Sequence, residues 1–250
     1  MERRRRSHGK RQADSGMEKV TIITPTGGRP ECFDLLTRYV NRQETDRHIV
    51  WVIVDDCKPR TPCPRVTEGI TPLVINPDWV WDGMNTQAAS LSEALSVIPD
   101  DSVVLIMEDD DWYSPQYVER MAKALEGADL VGEVPSVYYH VSGLAKTMGT
   151  PETGHCSLGA TGMKGAALQR FRKICSTHDR RIDQRLWGAF KGKKRQLPQG
   201  HNVGIKGMPG RYGIGIGHKP RGKPMQLRDL IGADADYYSP YILDYRLRNG

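Results

Sequence analysis

Only three Phe occur in 250 residues, against ten Tyr and five Trp, so most aromatic rings here carry a polar handle that needs a partner when buried. Long hydrophobic runs are missing too. The best, Ile49–Val54 and Val103–Met107, have strand length and fall far short of the roughly 18–20 apolar residues of a membrane span. The five cysteines (Cys32, Cys57, Cys63, Cys156 and Cys175) are odd in number and contain no CxxC pair. That argues against a structural zinc and a disulfide framework, and for a reducing, cytoplasmic setting. No GxxxxGK(S/T) phosphate loop and no internal repeat is present. Met1–Gly16 is rich in Arg but lacks the apolar stretch of a secretory signal, so residues 1–18 read as a disordered basic arm.

What is present is charge, unevenly placed. The net +6 is the sum of +3 over residues 1–18, -9 over residues 19–150 and +12 over residues 151–250, the last from 19 Lys+Arg against 7 Asp+Glu. The acidic part could hold a cation and the basic part could face a polyanion, although two differently solvated surfaces would also account for the split.

Lys19–Thr24 is a β-branched run broken by Pro25-Thr26-Gly27-Gly28-Arg29-Pro30. Phe33, Leu36 and Val40, at i, i+3 and i+7, predict an amphipathic helix over Glu31–Gln43. Strands are predicted at His48–Val54, Thr71–Ile75 and Ser102–Met107, with a helix over Asn85–Ile98. Ser114-Pro115 reads as the cap and first turn of a helix reaching Leu125. Further strands are expected at Ala128–Glu133 and Val137–Val141, and a helix at Asp183–Phe190, followed by a Gly/Pro-rich basic region from Leu197 to Pro224. Strand–helix alternation over residues 19–130 predicts an α/β fold with a doubly wound, mostly parallel, Rossmann-like sheet. Ligands of such sheets bind at the carboxyl ends of the strands, where Thr24–Arg29, Asp55-Asp56 and Glu108–Asp111 should converge.

Four consecutive carboxylates directly after a buried strand repel one another unless a cation is near, and their oxygens suit Mg²⁺ or Mn²⁺ bridging to nucleotide phosphates. A solvated acidic turn at the start of the next helix is the alternative.

A strand ending in TPTGGRP, a second ending in VDD and a fourth ending in MEDDDWYSP together resemble the GT-A glycosyltransferases, particularly family 2. The resemblance is firm over residues 19–125 and looser beyond. It implies a nucleotide-sugar-binding half over 19–125, an acceptor-binding and catalytic half with a flexible lid over 126–224, and a C-terminal extension over 225–250. Thr24, Pro25, Thr26 and Arg29 would border the base of a UDP-sugar, with Asp55 or Asp56 on uracil or ribose. Asp109, Asp110 and Asp111 would share ribose and metal duties, Asp110 being the direct ligand. Asp183 would be the catalytic base, with Asp179 in reserve; a helix-start Asp paired with neighbouring arginines is the plainer reading of the same residues. Relatives carry Arg and Asn in the helix before the acidic strand, whereas this chain has Asn85 and Gln87 and no Arg over residues 83–90. The Gly-rich residues 207–218, with Lys206, Arg211 and His218, suit a lid over the diphosphate, His218 completing the metal sphere or simply facing solvent.

Eleven Lys+Arg over residues 164–195 include Arg180, Arg181, Arg185, Lys191, Lys193 and Lys194, with Trp187 placed for stacking. They point to phosphate-backbone contacts and to a phage-type enzyme that glycosylates hydroxymethylated pyrimidines in DNA. A soluble transferase acting on surface glycans, or a nucleotidyltransferase of similar fold, is the rival, and no membrane association is expected.

Overall fold

The computed structural model describes residues 18–249 apart from 151, 153, 179 and 212–217. The arm at 1–17, the reserve base Asp179 and the middle of the Gly-rich stretch thus lie outside the described residues.

A seven-stranded sheet in the order β10-β6-β9-β4-β1-β2-β3 forms the centre of the molecule. Its strands are β1 (Lys19–Thr26), β2 (His48–Asp55), β3 (Ile70–Ile75), β4 (Val103–Ile106), β6 (Leu130–Val134), β9 (Thr161–Met163) and β10 (Lys194–Pro198). All run parallel except β9, which is antiparallel to β4 and β6. Both faces are covered, as a parallel sheet requires. Alternate side chains go to opposite faces: Ile49, Trp51 and Ile53 of β2 join one apolar cluster, and Val52 and Val54 join the other.

Helices α1 (Pro30–Asn41) and α3 (Tyr117–Glu126) cover the first face, and α2 (Gln87–Ser96), α4 (Gly165–Thr177) and α5 (Ile182–Ala189) the second. The predicted α1 and α2 are present within two residues at each end. The third helix begins later than its Ser-Pro signal: Ser114 and Pro115 form a preceding turn, with Tyr117 N–H bonded to Ser114 C=O (3.2 Å), and Gln116 is the N-cap.

A second sheet, ordered β12-β8-β7-β11-β5, stands at the carboxyl end of the first. It contains β5 (Asp111–Tyr113), β7 (Ser136–His140), β8 (Leu144–Met148), β11 (Asn202–Lys206) and β12 (Lys223–Pro224). Strand β11 lies in the stretch that reads as irregular in sequence, and every residue of it is buried. The C-terminal segment contains α6 (Leu227–Ile231), a 3₁₀ turn and α7 (Ser239–Asn249). Leu227, Ile231, Ala235 and Tyr238 pack into the first cluster, where the Tyr238 and Tyr39 hydroxyls share a hydrogen bond of 2.8 Å.

Candidate active site

The strand order reverses at β1, since β2 and β3 continue on one side of it and β4 lies on the other. Loops leaving the carboxyl ends at that point diverge and leave a crevice. Here it is a cavity of about 840 Å³. The ends of β1, β2 and β4 form one wall, through Pro25, Thr26, Arg29, Asp56, Glu108, Asp109 and Asp110. Asn85, Lys206, Arg211 and His218 also line it, as do His155, Arg180, Arg181 and Asp183.

Close backbone approach builds the first wall. Gly27, at φ +150°, has Asp56 Oδ1 only 2.4 Å from where a Cβ would be, and Gly210, at φ +92°, has the Gly28 carbonyl oxygen at the same distance. Side chains at either glycine would push the three loops apart.

The acidic run divides its labour. Asp109 accepts from the Thr26 hydroxyl (2.8 Å) and from Arg29, so it anchors the first loop; it is not grouped with the metal-competent oxygens, contrary to expectation. Those belong to Glu108, Asp110 and Asp111, whose ligand atoms lie within 4.8 Å of one another. Lys206, buried at the end of β11, donates to Asp110 (2.9 Å) and Asp111 (2.8 Å), while Arg29 reaches Asp110 at 3.2 Å. Gln87, at the start of α2, donates to Glu108 at 2.6 Å.

Burial pushes the Glu108 carboxyl up to about 8 and Asp111 up to about 6, each further raised by its acidic neighbours. Burial acts on Asp110 in the same sense, but Lys206 and Arg29 outweigh it and hold the group well below the usual carboxylate range. The buried Lys206 and the partly buried Arg29 face the four carboxylates of Glu108 to Asp111 and leave the cluster short of positive charge. A divalent cation on hard oxygen ligands is the group that relieves such a deficit, so the donor set fits Mg²⁺ or Mn²⁺. Burial also draws His218 down to about 4, leaving a neutral imidazole at the cavity.

Where Asp56 and Trp81 line the cavity, Arg211 donates to Asp56 (2.6 Å) and to Thr86, with its guanidinium 4.6 Å from the centre of the Trp81 ring. Arg29, Lys206 and Arg211 thus put three cations on the cavity lining. Two predicted base contacts lie elsewhere. Thr24 is fully buried, donates to Met107 C=O and accepts from the Trp51 indole, both at 2.9 Å. Asp55 caps its own loop, accepting from the backbone N–H of Cys57 and Thr61.

The predicted acceptor cluster separates. Arg180 and Arg181 line the cavity, whereas the exposed Arg185 turns back to the Arg180 carbonyl (3.2 Å). Trp187 is 1% exposed, with its indole N–H on Thr161, and is not available for stacking. The signal was readable: Ile182 and Leu186 mark the buried face of α5, and Trp187 lies beside them. Lys194 aligns through Leu130 and Met163 with Val104, early in β4. Lys191, Lys193 and Lys194 therefore sit toward the amino ends of the strands, roughly 13 Å below the level of Glu108 at about 3.3 Å per residue.

Sequence reasoning passed over one contact: His155 Nε2 meets Asp183 Oδ2 at 2.9 Å, within the cavity lining. At 28 positions apart, no spacing in the chain announces the pair.

No family model and no curated protein matches this sequence. Among solved structures, Staphylococcus aureus TarS aligns over 76% of this chain and 37% of its own, at 14% identity and a TM-score of 0.53. TarS 1-349 in complex with UDP gives 14% identity and 0.53, over 76% of this chain and 60% of that one. The complex with UDP-GlcNAc gives 16% identity and 0.52, over 79% and 60%. This chain thus spans less than two thirds of the length of these neighbours. The likeness is one of fold, and the fold is the GT-A-type α/β arrangement.

Proposed function

We propose that this protein is a glycosyltransferase that moves a sugar from a nucleoside diphosphate, UDP being favoured, to an acceptor hydroxyl. The observation that carries this reading is the meeting of three strand ends, an over-acidic buried cluster and three cations in one cavity at the reversal of strand order. The UDP and UDP-GlcNAc complexes of TarS support the choice of donor.

On this reading Asp56 and Trp81 receive the nucleobase once Arg211 turns from them toward the diphosphate. Arg29 and Lys206 orient and neutralise the phosphates. Glu108, Asp110 and Asp111 would hold a Mg²⁺ or Mn²⁺ ion, which supplies charge stabilisation to the departing diphosphate. The acceptor enters past Arg180 and Arg181, and the wall carrying His155 and Asp183 takes its proton. Because Trp187 is buried and the lysines lie toward the far end of the sheet, a cell-surface polysaccharide or other glycan is the better-supported acceptor. The balance of +12 over residues 151–250 keeps hydroxymethylated DNA as the second reading.

The test is a panel of nucleotide sugars with three acceptors: glycan oligomers, hydroxymethylated DNA and unmodified DNA. Release of UDP together with sugar on the glycan supports the first reading, and transfer confined to hydroxymethylated DNA supports the second. Binding of no nucleotide sugar, or consumption of a nucleoside triphosphate with pyrophosphate release, would sink both.

A further inference from the structure

Asp183 is the base that resemblance implies, yet the geometry gives it another task. It stands in the first turn of α5, and both its oxygens already accept hydrogen bonds: Oδ1 from the Gln184 backbone N–H (2.8 Å) and Oδ2 from His155 Nε2 (2.9 Å). A carboxylate held by a backbone donor on one side and an imidazole on the other is fixed in place and aimed at the imidazole. His155 is the member of the pair left with an unused nitrogen, since Nδ1 has no partner among the described residues. Its ring lines the cavity, and its side chain is 24% exposed. The fully buried Cys156 and the 3₁₀ turn Leu158–Ala160 anchor the loop that carries it.

We propose that His155 is the catalytic base and Asp183 its positioning residue. The proposal rests on the glycosyl-transfer reading and assigns its proton step. With Nε2–H donated to Asp183, the lone pair falls on Nδ1, which is the tautomer a carboxylate partner selects. As the acceptor oxygen bonds to the anomeric carbon, the bond from that carbon to the diphosphate oxygen breaks and its electron pair leaves with the nucleoside diphosphate. The hydroxyl proton passes to Nδ1. The imidazolium so formed is held against the Asp183 carboxylate until it returns the proton to solvent.

His155→Ala and His155→Gln separate the two assignments, because Gln can still donate to Asp183 but has no basic nitrogen. Transfer from a UDP-sugar to the acceptor found in the panel is followed in the full chain, beside UDP affinity by calorimetry. Both variants should lose kcat on the order of 10²–10⁴-fold, the usual worth of a general base, with UDP affinity unchanged. Imidazole in the buffer should restore turnover to His155→Ala and leave Asp183→Ala unrescued. A His155→Gln variant within about threefold of the parent kcat would overturn the assignment and return the base to Asp183. So would rescue of Asp183→Ala by formate with none of His155→Ala by imidazole. If the unaltered protein moves no sugar to any acceptor, it is the glycosyl-transfer reading that fails.

Discussion

Thr24 and Asp110 stand close to the same crevice, one behind it and one in it, and their substitution should separate fold from function. The Thr24 hydroxyl links two strands, donating to Met107 C=O beyond β4 and accepting from the Trp51 indole of β2. Thr24→Val keeps the shape but orphans a buried indole N–H, so unfolding free energy in urea should fall by about 1–3 kcal/mol. UDP affinity, read by calorimetry, should stay within about twofold, because the hydroxyl faces the core and the loss of one remote hydrogen bond is a stability effect. Asp110 behaves in the opposite way. It shares Lys206 with Asp111 and Arg29 with Asp109, so in Asp110→Asn each cation keeps one carboxylate partner and no buried charge is stranded. The variant should melt cooperatively in a circular dichroism scan and show no donor turnover. Retained turnover would remove Asp110 from the reacting centre.

Elements here are joined by a few buried and half-buried polar contacts whose partners lie far apart in the chain. Asp234, in the 3₁₀ turn after α6, accepts from Arg42 past the end of α1 and from the Trp112 indole of β5 (2.6 Å), tying the C-terminal segment to the first face of the sheet. Burial opposes its charge, but the bonds from Arg42 and Trp112 outweigh that and hold its carboxyl below the ordinary Asp value. A folded-state value below the unfolded one means the stabilisation is present above the unfolded value near pH 4 and is lost as pH falls through the folded one. Asp234→Asn should therefore be less stable than the parent at pH 7, with the two urea midpoints converging as pH drops below about 4. Such links also mark the limit of what the chain discloses. Strands β1, β2 and β4 were legible because each is a β-branched run buried on both faces, and the motifs at their ends followed from them. Strand β11 was not legible. Among Gly, Pro and cations, Lys206 reads as part of a loop over the diphosphate, and its place at the end of a buried strand shows only when Asp110 and Asp111 are brought to it from 96 and 95 positions away. The pairing of His155 with Asp183 hid for the same reason: polar pairing across a fold leaves no period in the sequence.

For the whole molecule, charge segregation holds but its meaning divides. Arg29, Lys206 and Arg211 turn inward onto carboxylates of the acidic half and form the walls of the cavity. Lys191, Lys193, Lys194 and Arg195 remain on the surface at the other end of the sheet, Lys194 and Arg195 on the edge strand β10. An exposed edge strand can pair with another chain, and lysines on it oppose that by mutual repulsion between copies. Solubility alone thus accounts for this part of the +12, with no acceptor invoked. The two accounts predict different outcomes for the triple variant Lys191→Gln, Lys193→Gln, Lys194→Gln. If the lysines only guard the edge, acceptor KM and kcat should stay within about twofold of the parent, while light scattering at high protein concentration shows more self-association. If they bind the acceptor backbone, KM should rise and its steep dependence on salt should flatten as the phosphate contacts are lost. Arg180→Gln with Arg181→Gln is the matched control on the cavity lining, where acceptor KM should rise whichever account holds. Their position toward the amino ends of the strands favours the first outcome, and with it an acceptor that meets this protein only at the carboxyl end of its sheet.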